Sequence, residues 1–201
     1  MKKFELTTNT RIQFGKILYQ IKALVSFGIV RVGELGGYVE KESNLSHDGN
    51  AWVSGNAWVS GNAWVSGNAR VSGNARVSGN ARVSGNARVS GNAWVSGNAR
   101  VSGNAWVSGD ARVFGDARVF GDAWVSGDAD WMIVGPIGSR DAITTFYRRN
   151  DGVIMAVCGC FHGTIDEFED GVSETHGDNE HATTYRAAVQ LAKIRMNRDA
   201  V

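Results

Sequence analysis

Hydrophobic and polar positions recur every six residues from 51 to 128, as thirteen unbroken hexads of the form Ala-(Trp/Arg)-Val-(Ser/Phe)-Gly-(Asn/Asp). Along Ala-Arg-Val-Ser, an extended chain turns Ala and Val to one side and Arg and Ser to the other. Gly-Asn or Gly-Asp then bends the chain, because Gly adopts positive φ freely and Asn and Asp tolerate it next best. One strand and one corner per hexad predict a mainly β fold, a single-stranded parallel β-helix with three hexads per coil and residue i beneath residue i+18. Thirteen hexads make about four and a third coils, a prism roughly 21 Å tall at ~4.8 Å per coil. A degenerate hexad at 45–50 brings the expectation to about four to five coils. No loop interrupts the run, so the repeats describe a scaffold.

The flanks follow other patterns. Residues 1–50 alternate in β fashion at Phe4 and Leu6, at Ile17, Tyr19 and Ile21, and at Ile29 to Val32. The open end of a β-helix is an unpaired strand edge that invites aggregation, so 1–50 reads as an N-terminal β cap with a lead-in coil. Residues 129–201 read as a small α+β domain. Strands are expected at 131–134, 142–148 and 153–161, with Asn150-Asp151-Gly152 as a hairpin turn. Thr164-Ile165-Asp166-Glu167 is a capping box that opens a helix with Ile165, Phe168 and Val172 on one face. A second helix, over 181–196, carries Tyr185, Val189, Ala192 and Met196 on one stripe.

The last hexads depart from the pattern. Phe replaces Ser at Phe114 and Phe120, and Asp replaces Asn at Asp110, Asp116, Asp122 and Asp128. Outward Phe just before the repeats end is the expected docking surface for the C-terminal domain.

Stacking by eighteen sorts the outward Trp and Arg into three ladders. One is Trp52, Arg70, Arg88, Trp106 and Trp124; the second is Trp58, Arg76, Trp94 and Arg112; the third is Trp64, Arg82, Arg100 and Arg118. Trp over Arg can attract through the ring face. Three guanidiniums in a row repel unless an anion, an acid or a partner neutralises them. Arg82, Arg100 and Arg118, with Arg70, Arg88, Trp52, Trp58 and Trp64, are therefore the candidate binding residues. The plain alternative is a solvated outer surface. Ice binding would call for flat ranks of Thr, which are absent from the repeat.

Charge adds a division that the near-zero total hides. Residues 1–50 carry seven Lys/Arg and five Asp/Glu, 51–128 carry seven Arg and four Asp, and 129–201 carry seven basic and eleven acidic residues. A basic stripe beside an acidic domain can steer partners or draw the two parts together. The start of the chain lacks the apolar core of a signal peptide, and no run approaches the ~20 apolar residues of a membrane span. Two cysteines only two positions apart fit a reducing compartment. A cytoplasmic protein without membrane contact is expected.

The run Gly33-Glu34-Leu35-Gly36-Gly37-Tyr38-Val39-Glu40-Lys41, then Asn44-Leu45-Ser46 and the Gly-Asn-Ala-Trp-Val repeats, resembles a group of phage and prophage hexapeptide-repeat proteins. The tail is similar too, at Gly135-Pro136-Ile137-Gly138-Ser139, Gly159-Cys160-Phe161, Gly163-Thr164 and Glu174-Thr175-His176-Gly177-Asp178. The hexad written from Val resembles that of left-handed parallel β-helices, which implies left-handed coiling. The resemblance implies little chemistry, since the group is likened to acyltransferases only through the hexapeptide.

Candidate chemistry is sparse. Cys158, Cys160 and His162 alternate, and with His176 and His181 two Cys and two His could form a tetrahedral zinc site; Cys-x-Cys departs from the usual spacing, so structural cysteines are the favoured reading. Cys160 with His176 as base would be a nucleophile pair. Hexapeptide acyltransferases place a His at a trimer interface beside a projecting loop, and 51–128 contains neither. No catalytic residue and no cofactor is assigned. The expected function is a non-enzymatic scaffold that engages a host or phage protein through its Arg/Trp ladders and C-terminal domain, in counter-defence or regulation, with homo-oligomerisation to a dimer or trimer open. Nucleic-acid binding is the alternative, because interleaved Arg and Trp suit phosphates and bases.

Overall fold

The computed structural model describes residues 1–196; the last five positions of the expected 129–201 domain lie outside the described residues. Every hexad forms one two-residue strand, from β4 (Trp52–Val53) to β16 (Trp124–Val125). Before them come β1 (Phe4–Gln13), β2 (Lys16–Ala23) and β3 (Leu35–Val39). After them come β17 (Trp131–Ile137), β18 (Ala142–Arg148), β19 (Ile154–Cys158), β20 (Phe161–Thr164), α1 (Ile165–His176) and α2 (Glu180–Met196).

The repeat strands stack in parallel as three flat faces, with Arg88 between Arg70 and Trp106, Trp94 between Arg76 and Arg112, and Arg100 between Arg82 and Arg118. The deepest purely parallel sheet has five strands. Repeat Val side chains are fully buried, as are nearly all the Ala, so the prism is filled with one large and one small residue per hexad. Each corner Gly from 55 to 121 has positive φ, and from Gly61 to Gly103 its neighbour one coil on leaves little room for a side chain: a Cβ on Gly91 would lie 3.0 Å from the Gly109 nitrogen.

Outside the strand ladders, the backbone hydrogen bonds between coils point one way, from each coil to the next. Arg70 N–H donates to Ala87 O at 2.9 Å, Ser72 N–H to Val89 O at 2.9 Å and Asn74 N–H to Gly91 O at 2.8 Å. At these positions the first coil is left with open carbonyls and the last with open N–H groups, which a fold must satisfy. The N-terminal cap supplies donors. Tyr38 N–H and Glu40 N–H reach Ala57 O and Val59 O, the Lys3 ammonium reaches Ala51 O at 2.9 Å, and Asn44 Nδ2 reaches Gly61 O and Ala63 O at 3.0 and 2.8 Å. Burial pulls the Lys3 ammonium down to about 8 against the pull of Asp48. The C-terminal side supplies acceptors: Asp128 Oδ1 takes Arg112 N–H, Thr145 Oγ1 takes Arg118 N–H, and buried Asp130 takes Ser126 and Gly127 N–H.

The cap is built differently from its hydrophobic pattern in one place. Ile29 to Val32 is a turn with a single bridge, Phe27 to Val30, rather than a strand. The strand that joins the prism is Leu35–Val39, whose Tyr38 and Val39 pair in parallel with Trp58 and Val59. Gly36 and Gly37 permit this, since a Cβ on either would collide with Ile21 or the Ala57 carbonyl. The degenerate hexad at 45–50 does join the third face, through a bridge from Leu45 to Val65.

The C-terminal unit is a four-stranded antiparallel sheet, β17-β18-β19-β20, between the prism end and two helices. Alternation divides its faces. Trp131, Tyr147, Met155 and Val157 join the prism core, whereas Phe146 and Ala156 join Ile165, Phe168, Val172, Tyr185 and Val189 in a second core under the helices. Thr164 caps α1 as the capping box requires, its Oγ1 accepting from Glu167 N–H at 3.2 Å. The strand expected at 153–161 is broken: Gly159, at φ +59°, and Cys160 form a two-residue turn, which creates β20. Among the described residues, no helix is long and apolar enough to cross a membrane.

Candidate binding surface

The three ladders lie on the outer faces as rows in register. Among the described residues, none of the seven repeat arginines pairs with a carboxylate; the ion pairs all lie in the cap and the C-terminal unit. Arg82, Arg88, Arg100 and Arg112 are exposed, and Arg70, Arg76 and Arg118 are half-buried. Two unit charges ~5 Å apart in water repel by about 0.8 kcal/mol. Like charges directly opposite one another on neighbouring strands destabilise a sheet. The Arg82–Arg100–Arg118 row accepts that cost twice.

Not all the candidate residues share this surface. Trp52 and Trp58 are buried beneath the cap, against Phe27 at 5.4 Å and Phe14 at 6.0 Å between ring centroids, so they anchor the cap and are not open to a partner. Their expected surface role is corrected by the cap, which lays the turn between β1 and β2 over Trp58 and the turn at Phe27 over Trp52. Trp64 remains exposed. Arg118 is drawn to the C-terminal unit, where its Nη1 donates to Gly159 O at 3.2 Å. The open part of the third row is thus Trp64, Arg82 and Arg100.

Trp and Arg do not pair through ring faces within the ladders; among the described residues the cation–ring contacts are Lys3 on Phe27, Arg11 on Tyr38 and Arg76 on Phe14. Instead Trp94 and Trp106 donate their indole N–H groups to Ser78 and Ser90, at 3.2 and 3.1 Å. Trp106 and Trp124 stack with centroids 5.8 Å apart and planes within 7°. Serine at the fourth hexad position is thereby a partner for a tryptophan one coil on, a relation not visible in the six-residue pattern.

Phe120 lies between the prism end and the C-terminal sheet, edge-on to His162 at 6.1 Å and packed on the prism core. Phe114 is half exposed and stands at right angles to the Trp131 ring, with centroids 5.2 Å apart. Tyr147 links the same junction, its hydroxyl 2.8 Å from His162 Nε2, and burial pushes its phenol up to about 12.

The cysteines and histidines of the zinc alternative do not form a ligand set. Cys160 is exposed in the β19–β20 turn, Cys158 faces the helices 3.8 Å from Tyr185 Oη, and His162 lies on the opposite side of the sheet, against Phe120. The turn at Gly159-Cys160 breaks the alternation that would have put all three on one face. His176 and His181 do approach, with rings 5.8 Å apart, yet among the described residues no group of three metal-ligating side chains is gathered.

Six segments of the repeat region, 51–67, 63–79, 69–83, 81–97, 93–109 and 111–127, match the YdcK beta solenoid repeat family. The chain is a β-solenoid repeat protein. The match ends where the prism ends, and neither the cap nor the C-terminal sheet takes part in it. No curated protein matches the chain.

Proposed function

We propose that this β-solenoid is a non-enzymatic scaffold that binds an acidic protein through the exposed arginine rows of its faces. The observation that carries the reading is the set of seven repeat arginines without a carboxylate partner among the described residues. A surface that holds guanidiniums in register at strand spacing gains most from a partner whose carboxylates lie along the same direction, since each pairing also removes a repulsion. The rigid prism meets the ordering cost in advance, which favours a flat, extended interface. Partner identity as a host protein and left-handed coiling rest on the resemblance to phage hexapeptide-repeat proteins, and a cytoplasmic setting rests on two cysteines only two positions apart.

Nucleic acid is the second reading, favoured by the stacked Trp106–Trp124 pair on the face that also carries Arg70 and Arg88. Aromatic platforms beside basic rows suit unpaired bases and their phosphates. Capture of host proteins on the immobilised chain, compared with an Arg82→Ser/Arg100→Ser variant, tests the first reading. It requires a protein retained by the wild type and released by the variant; equal retention on both contradicts it.

A further inference from the structure

A cavity of about 240 Å³ opens in the C-terminal unit between the β19–β20 turn and the two helices, well apart in chemistry from the arginine rows. At roughly 30 Å³ per water, it has the bulk of about eight waters, enough for a small fused aromatic. Phe161, Phe168 and Val172 form its apolar wall, while Arg140, His176 and Tyr185 supply polar groups. No Asp or Glu lines it, and Arg140, exposed at its rim, has no carboxylate partner among the described residues. A site with one cation and no anion selects a negatively charged guest.

The walls are held in place without a guest. Tyr185 packs edge-on to Phe168 at 5.5 Å, stacks with His176 at 5.8 Å and lies 3.8 Å from Cys158 Sγ. Gly138 makes room for the Tyr185 ring, since a Cβ there would overlap it.

Gly171 gives the independent observation. It sits inside α1, where glycine costs about 1 kcal/mol relative to alanine. A Cβ there would meet nothing within 4 Å, so packing does not call for glycine. Gly171 lines the cavity, and its missing side chain keeps the space open.

We propose that this cavity binds a small aromatic carboxylate, its ring against Phe161 and Phe168 and its carboxylate on Arg140. The probe is 2-naphthoate, titrated into the full chain by calorimetry, with 2-naphthalenemethanol as the neutral counterpart. The expected result is saturable binding with Kd of order 0.1 mM, about tenfold tighter than the alcohol. Gly171→Leu should melt no lower than the wild type, because leucine is a better helix former, and should lose binding more than tenfold. Arg140→Gln, an exposed change that leaves the fold alone, should bind acid and alcohol equally. Absence of wild-type binding up to about 1 mM overturns the proposal. So does unchanged binding by folded Gly171→Leu, or an undiminished acid preference in Arg140→Gln.

Discussion

Asn92 Nδ2 donates to Asp110 Oδ1, eighteen residues on, at 2.9 Å. It is the last link of a corner row that begins with Asn56 on Asn74 and Asn74 on Asn92. The other two rows end the same way, Asn98 on Asp116 and Asn104 on Asp122. An amide both accepts and donates, so Asn can relay the row; a carboxylate only accepts, so Asp can end it without leaving a donor unused. The switch from Asn to Asp in the final hexads is the chemical end of each row, matching the acceptors that the C-terminal side offers to the last backbone N–H groups.

Position within a row should therefore decide the effect of exchanging Asn and Asp. Asn86→Asp puts a carboxylate between Asn68 and Asn104, where it faces the Asn104 oxygen without a proton to offer. A loss of about 1–2 kcal/mol is expected, against less than about 1 for Asp122→Asn. Thermal melts of the two variants check this; equal losses would contradict the directional row.

Asn44 is the sharpest test of the donor cap. Asn44→Ala leaves the Gly61 and Ala63 carbonyls at the prism's N-terminal end without their donor. The expected cost is about 2–4 kcal/mol for two orphaned acceptors. Denaturant unfolding measures it, and a change below about 0.5 kcal/mol would mean that water fills the role.

The two phenylalanines that break the repeat should differ. Phe120→Ser restores the repeat residue but removes the ring between prism and sheet, at a cost of about 2 kcal/mol or more. Phe114→Ser, at a half-exposed site, should cost less than about 1 kcal/mol. Limited proteolysis of the C-terminal unit follows the difference: faster cleavage is expected in the first variant alone.

Alkaline pH should loosen the same junction. The Tyr147 phenol lies at about 12 in the fold, above its ordinary value of 10.0, because burial disfavours the phenolate. A raised value means that the unfolded chain gives up this proton first, so the stability it confers is full below pH 10 and is lost as pH rises through 12. Tyr185, also at about 12, adds to the fall in the same range. The melting temperature should drop above pH 10, less steeply in Tyr147→Phe; identical slopes would contradict the assignment to this residue.

The prism was legible because one short pattern carries both its strand and its corner, so eighteen-residue stacking and the inward Ala and Val follow from periodicity. Helix α1 was legible from Thr164 and Glu167, whose spacing is a local signal, and α2 from the stripe of Tyr185, Val189, Ala192 and Met196. What sequence reading missed depends on contacts between distant residues. Trp52 and Trp58 look like other ladder tryptophans, and only the cap that folds back over them buries them. Gly159-Cys160 is a weak turn signal inside a run of apolar residues, and missing it misplaced Cys160 and His162. The Gly171 cavity has no pattern at all in sequence, since it depends on two helices and a turn meeting.

The surface reading is tested most directly by titrating fluorescent polyglutamate, single-stranded DNA and RNA into the wild type and the Arg82→Ser/Arg100→Ser variant at low and moderate salt. The expected result is polyglutamate binding that exceeds nucleic-acid binding and falls about tenfold in the variant, whose melting temperature stays at the wild-type value. Binding of neither polymer, or polyglutamate affinity unchanged in the variant, would contradict a partner surface built on the unpaired arginine rows.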